Sequence, residues 1–185
     1  MDKRLVVYFS HKGENYSKGR IVKLEKGNTE VAAEMISNIA DADIFEIVAD
    51  KKYPFKYDDC IEIAKKELRD NSRPKLKDDI DIKEYDTIFV GYPNWWGTMP
   101  MPVWTFLEGK DFRNKRILPF CTHEGSGLGK SEIDIKKIVS DVEILKGLAI
   151  NGSEVNNSEK QIKKWLETPS CSPSASPPTG WGPTP

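Results

Sequence analysis

The chain has 185 residues, enough for one ordinary domain with a proper core and too few for two comfortable ones. Its 28 Lys and Arg and 29 Asp and Glu are interspersed and leave a formal net charge of -1. That balance argues against nucleic acid as the main partner, since phosphate binding needs a concentrated basic surface, and gives no electrostatic sign of a membrane. Three scattered cysteines, Cys60, Cys121 and Cys171, make neither a disulfide scaffold nor a spaced metal motif. No apolar stretch reaches membrane-spanning length, and the run at residues 5–9 behind Asp2, Lys3 and Arg4 is too short for a signal segment. The expectation is a reduced, soluble, cytoplasmic protein.

Leu5, Val6, Val7, Tyr8 and Phe9 form a continuous apolar, β-rich run bounded by Ser10, which predicts a central parallel strand. The chain does not pass directly into a helix. A long polar connection follows, whose middle at residues 20–24 alternates briefly and predicts a small β excursion. A helix begins at Gly27-Asn28-Thr29: Asn28 or Thr29 can cap it, Glu30 lies in its first turn, and Val31, Ala32, Met35, Ile36 and Ile39 recur at helical spacing. A second strand is expected at 43–48 and a helix at 59–70, with Ile61, Ala64 and Leu68 on its apolar side and Arg73-Pro74 ending it.

The third strand, 87–92, is a buried apolar run that opens through Gly91 and Pro93 into the indole pair Trp95-Trp96. Residues 100–107 are short and apolar. A fourth strand is expected at 116–120, with Pro119 near its carboxyl end where a missing ladder donor does least harm. The loop THEGSGLG, a helix at 130–139, a last strand at 143–149 and a last helix at 158–166 complete the pattern. Five strands alternating with helices predict an open, doubly wound parallel sheet in one domain over residues 1–167. From Thr168 on the chain carries no charge and is rich in Pro, Ser and Thr, as expected of a disordered tail or an appended segment.

In such a sheet the carboxyl ends of the strands meet in one crevice. After the first strand, Ser10 and Gly27-Asn28-Thr29 offer hydroxyls and free N–H groups at a helix start, which suit a phosphate, although an ordinary cap uses the same residues. There is no Gly-x-Gly-x-x-Gly and no Gly-Lys-Ser or Gly-Lys-Thr, so neither a dinucleotide fingerprint nor a nucleotide triphosphate loop is supported. After the third strand, two adjacent indoles beside a Gly and a Pro are hard to bury together; one of them faces something planar, or the pair caps the core. After the fourth come Cys121, Thr122, His123, Glu124, Gly125, Ser126 and Gly127, flexible and polar. A phosphate at a helix start and a ring between aromatic faces together describe a mononucleotide. A Cys121–His123 nucleophilic pair lacks an acidic orienter, Gly125-Ser126-Gly127 lacks the spacing of a hydrolase elbow, and Cys60, Cys121, His11 and His123 lack metal-ligand spacing.

The segments VVYFS, GNTEVAAEMI, YDTIFVGYPNWWGTMPMPVWTFLE and KRILPFCTHEGSGLG resemble the flavodoxin family, most nearly the flavodoxin-like proteins of anaerobic and Gram-positive bacteria with a long Trp-containing loop. The resemblance covers residues 3–167. It implies an α/β, flavodoxin-like three-layer sandwich with a five-stranded parallel sheet in the order 2-1-3-4-5, and one non-covalent FMN. By position, Ser10, Gly27, Asn28 and Thr29 hold the phosphate. Tyr92, Pro93, Asn94, Trp95, Trp96 and Gly97 lie beside the isoalloxazine, with Trp95 or Trp96 supplying a face and a carbonyl between Asn94 and Gly97 accepting the flavin N5 proton. Thr122, His123, Glu124, Gly125, Ser126 and Gly127 line the pyrimidine side.

The insertion at residues 11–26 departs from the simple family pattern: either His11 and Lys12 touch the phosphate, or the insertion folds over the flavin as a lid. The near-neutral charge also departs from the many strongly acidic flavodoxins. What the resemblance implies is FMN-dependent electron transfer, with redox proteins or a small-molecule acceptor as partners. The alternatives are an FMN-dependent NAD(P)H:quinone or small-acceptor reductase, and a flavin-free interaction module.

Overall fold

A computed structural model describes residues 2–168. The Pro- and Ser-rich stretch from 169 on lies outside the described residues; Thr168 itself donates its hydroxyl to the Trp165 carbonyl at 2.7 Å. The elements are β1 (Arg4–Tyr8), β2 (Gly13–Ser17), β3 (Arg20–Leu24), α1 (Asn28–Ala40), β4 (Asp43–Glu46), α2 (Tyr57–Arg69), β5 (Thr87–Pro93), α3 (Met101–Glu108), β6 (Arg116–His123), α4 (Ser131–Ile138), β7 (Glu143–Ile144), β8 (Leu148–Asn151), a 3-10 turn (Gly152–Asn157) and α5 (Glu159–Leu166). Among the described residues no helix is long and apolar enough to cross a membrane.

The main sheet is parallel, in the order β4-β1-β5-β6-β7, with β8 also paired to β6. With β7 and β8 taken as one interrupted edge strand, this is the expected 2-1-3-4-5 order. The interruption is a bulge. Ile144 stands opposite Ile117 and Leu148 opposite Phe120, so three residues of the edge face two of β6. It explains Pro119, which proves to be mid-strand because β6 runs on to His123. The Leu145 N–H donates to the Ile117 carbonyl at 2.9 Å, so Ile117 and, two residues on, Pro119 present their backbone groups toward the edge strand. The donor that proline lacks therefore falls where pairing is already broken.

Strand residues alternate between two buried layers, and helices cover both faces, which is why the strands read as unbroken apolar runs. Leu5, Val7, Ile88 and Val90 face Val103, Phe106, Leu107 and Ile135 of α3 and α4. Val6, Tyr8, Phe89, Leu118 and Phe120 face Ala32, Ala33 and Ile36 of α1 and Ile162 and Trp165 of α5. The polar insertion contributes a two-stranded antiparallel hairpin, β2–β3, outside the main sheet. The short apolar stretch after the indoles is α3, with Pro102 in its first turn where no intrahelical donor is required.

Gly91 is fixed by packing: a Cβ there would lie 2.1 Å from the Phe120 ring across the β5–β6 pair. Gly91→Ala is expected to lower unfolding free energy by about 1–3 kcal/mol through overpacking, read as a lower urea midpoint at unchanged slope.

Candidate functional site

The carboxyl ends of β1, β5 and β6 open into a cleft of about 330 Å³. At one end is the start of α1. Gly27 takes the N-cap position in an extended conformation, and a Cβ on it would sit 2.2 Å from Ser10 Oγ, so its bare backbone lets Ser10 close onto the helix. Ser10 Oγ accepts the Glu30 N–H at 3.1 Å, which leaves its own O–H to donate outward. The first intrahelical bond runs from Val31 N–H to Gly27 O, so the amides of Asn28 and Thr29 precede the helical ladder. Thr29 and Thr122 share one buried hydrogen bond between their hydroxyls at 2.7 Å, which uses one of their two O–H donors and leaves the other. These N–H and O–H groups at the positive end of a helix form a cradle for an anion.

The second loop is a tight turn. Trp95 and Thr98 exchange backbone hydrogen bonds at 3.0 and 3.2 Å, and the two residues between them, Trp96 and Gly97, have φ of 55° and 81°. Positive φ at both central positions defines the twisted two-residue hairpin turn, a conformation that strains an indole-bearing residue. Asn94 braces it. Its Oδ1 accepts the Gly97 N–H at 2.9 Å, its Nδ2 donates to Gly127 O at 2.8 Å, and its own N–H donates to Thr122 O at 2.8 Å.

The two indoles have different surroundings. Trp95 is half-buried and meets Phe9, Tyr53 and His11 edge-on, at centroid distances of 5.3, 5.2 and 5.9 Å. It is a wall seated on the core. Trp96 is 46% exposed; its Nε1–H donates to the Ile61 carbonyl of α2 at 3.2 Å, and the Lys65 ammonium lies 5.1 Å from its ring centroid.

The third loop turns on Gly125, Gly127 and Gly129, at φ of 118°, 60° and 56°. A Cβ on Gly129 would be 2.3 Å from Gly97 O, and Gly97 O accepts the Lys130 N–H at 2.8 Å, so the second and third loops lock together. His123 Nδ1 accepts the Gly125 N–H at 2.9 Å, which puts the proton of the neutral ring on Nε2. Burial holds both His11 and His123 below the usual imidazole range; the Glu124 charge opposes this at His123 only in part. Both carboxylate oxygens of Glu124 are engaged, Oε1 accepting the Ser153 N–H at 2.7 Å and Oε2 the Lys18 N–H at 3.3 Å.

Of the residues expected at the site, Ser10, His11, Asn28, Thr29, Pro93, Asn94, Trp95, Trp96, Thr122, His123, Glu124 and Ser126 line this cleft. Gly27, Gly97, Gly125 and Gly127 shape its loops without lining it. Lys12 turns to Glu30, with 3.8 Å between ammonium and carboxylate. Tyr92 is fully buried behind the strand, its hydroxyl donating to Ser131 Oγ at 2.8 Å. Sequence reasoning missed Glu14, Asn15 and Tyr16 of the hairpin, Tyr57, Cys60, Ile61 and Ala64 of α2, and Gly152. For α2 a signal existed, because Ile61 and Ala64 recur at helical spacing, but a stripe alone does not say whether it meets a core or a cleft.

Among the described residues no Lys or Arg side chain lines the cleft, and no group of three or more His, Cys, Asp or Glu is placed to hold a metal. Burial pushes the Cys121 thiol above its ordinary range and the Cys60 thiol up to about 12, opposite to what activates a cysteine nucleophile.

A family profile described as flavodoxin matches residues 21–169. No curated protein matches the chain. Among solved structures, a candidate flavoprotein of Bacteroides eggerthii DSM 20697 is 29% identical, with 90% of this chain and 97% of that one covered at a TM-score of 0.73. A second, from Bacteroides uniformis ATCC 8492, is 28% identical, with 90% and 99% covered and a TM-score of 0.69. A flavoprotein in complex with FMN, from Lactobacillus acidophilus NCFM, shares the fold at 22% identity and a TM-score of 0.61, with 85% and 98% covered. The profile match runs from β3 past the end of α5 and takes in most of the chain, which therefore belongs to the flavodoxin family.

Proposed function

We propose that the cleft binds one FMN non-covalently and that the chain serves electron transfer through it. The observation that carries this reading is the meeting, in one cleft, of a helix-start anion cradle with an indole-walled slot. The FMN complex of the similar Lactobacillus acidophilus protein supports it. The donor set fits the group: Ser10 O–H and the amides of Asn28 and Thr29 offer hydrogen bonds to a phosphate, and the bare Gly27 lets Ser10 pack against the helix start beside those amides. Pro93, Asn94, Trp95 and Trp96 would flank the ring, and Thr122, His123 and Ser126 would line its polar edge.

When bound, FMN supplies the redox chemistry. This chain's residues set the surroundings. Trp95, held by three aromatic neighbours, is a fixed apolar wall, while Trp96 is a cover anchored on α2. The apolar walls disfavour added negative charge in the cleft, and the imidazoles, held neutral by burial, bring no positive charge to offset it. His123, with its proton on Nε2, is a hydrogen-bond donor. A reductase of small acceptors is the second reading, favoured by the extension of the cleft along Tyr57, Cys60, Ile61 and Ala64, beyond the three strand-end loops.

A visible absorption spectrum after loading with FMN and desalting tests binding. The expected result is retained flavin near one per chain; none at micromolar protein would instead favour a flavin-free interaction module. Trp96→Ala is expected to weaken FMN binding about tenfold, since an aromatic face adds about 0.5–1.5 kcal/mol beyond its area. Its effect on stability should stay within about 1 kcal/mol, because the ring is largely outside the core. Trp95→Ala is expected to cost about 3 kcal/mol of stability as well as affinity. Titrations with equal FMN affinity for the wild type and both single variants would rule out stacking on either indole.

A further inference from the structure

We propose that the β2–β3 hairpin is a retaining strap over the cleft, hinged on α2 and latched at its tip by Lys18 on Glu154; the proposal rests on FMN being the ligand of that cleft. The hairpin pairs only with itself, from Gly13 opposite Leu24 to Ser17 opposite Arg20. A two-stranded ribbon of this length is marginal alone, so its docking contacts decide where it lies. Those contacts fall on two different banks of the cleft.

At its root, the Glu14 N–H donates to Phe55 O at 2.9 Å, and Glu14 Oε2 accepts the Tyr57 N–H at 3.0 Å. The second bond caps α2 from outside, at the end where a carboxylate is favoured. Gly13, at φ 110°, presses against Phe55 so closely that a Cβ would lie 2.8 Å from its carbonyl oxygen. At its tip, Lys18 and Gly19 form a two-residue turn at φ of 48° and 84°. There the Lys18 N–H donates to Glu124 Oε2 at 3.3 Å, and the Lys18 ammonium pairs with Glu154 of the 3-10 turn. Between root and tip, Glu14, Asn15 and Tyr16 line the cleft.

The two attachments differ in strength. The root is backbone-bonded and sterically fitted, whereas the tip rests on one long hydrogen bond to Glu124 and on the Lys18–Glu154 pair, whose side chains are 63% and 55% exposed, so that the pair is weak and screened by salt. The tip therefore opens before the root, and a flavin beneath leaves when the tip lifts.

The test is the dissociation rate of FMN and of riboflavin from the loaded full chain, followed by flavin fluorescence after dilution, for the wild type, Lys18→Ala, Glu154→Gln and the double variant. Each single variant should release both flavins about threefold faster, and the double no faster than either single, because all three break one exposed pair. Raising salt from roughly 50 to 500 mM should speed release from the wild type and leave the double variant nearly unchanged. Loaded variants that release flavin at the wild-type rate would overturn the strap alone. An effect on FMN and not on riboflavin would make Lys18 a phosphate contact, and would also overturn it. A wild type that retains no FMN would overturn the flavin reading, and the strap with it.

Discussion

The rim of the cleft depends on Asn94. Its backbone N–H extends the β5–β6 ladder by one bond to Thr122, while its amide side chain spans Gly97 and Gly127. One residue thus ties the second loop to the third just beyond the last strand pair, Pro93 opposite Thr122. It also holds Trp96 in a left-handed conformation that an aromatic residue rarely adopts. Strain of this kind persists only where the surroundings over-determine it, and here they do: the turn is closed by the Trp95–Thr98 pair, by Asn94, by the Lys130 N–H on Gly97 O and by the indole N–H on α2. A close approach of backbone to backbone at Gly129 completes the lock.

Electrostatics in the cleft follow from what has been removed from it. Among the described residues no ammonium or guanidinium lines it, so an anion there meets helix-start amides and hydroxyls instead of a full positive charge. The acids at and near its wall already have partners. Glu14 caps α2, Glu124 is bonded to Ser153 and to the hairpin tip, and Lys12 lies beside Glu30. Such a site offers an anion oriented dipoles and shape, and burial opposes the charging of its histidines.

The hairpin and α2 change an open crevice into a walled one. A parallel sheet with helices on both faces supplies three strand-end loops and nothing across them. Here the long connection after β1 adds Glu14, Asn15 and Tyr16 to the wall, and α2 adds Tyr57, Cys60, Ile61 and Ala64. Glu14 joins the two additions, because one carboxylate both docks the hairpin and satisfies a helix start.

The sheet and the three loops at its carboxyl edge were legible in the residues, and the strand order followed from the family resemblance. Leu5 to Phe9 and Thr87 to Tyr92 are apolar without interruption because both faces of these strands are covered, and that is a local signal. Gly27-Asn28-Thr29 marks a helix start for equally local reasons. The rest depends on contacts between residues remote in the chain. Which indole is wall and which is cover depends on Phe9, Tyr53 and α2, remote from Trp95 and Trp96 in sequence. Tyr92 lies behind its strand because successive strand residues face opposite layers, and the buried Ser131 hydroxyl waits on its side. Pro119 is tolerated in mid-strand only because a bulge in another strand removes the need for its N–H. The place of the hairpin beside the cleft is set by Phe55, Tyr57, Glu124 and Glu154, contacts whose partners lie tens of residues away and leave no periodic trace in the insertion itself.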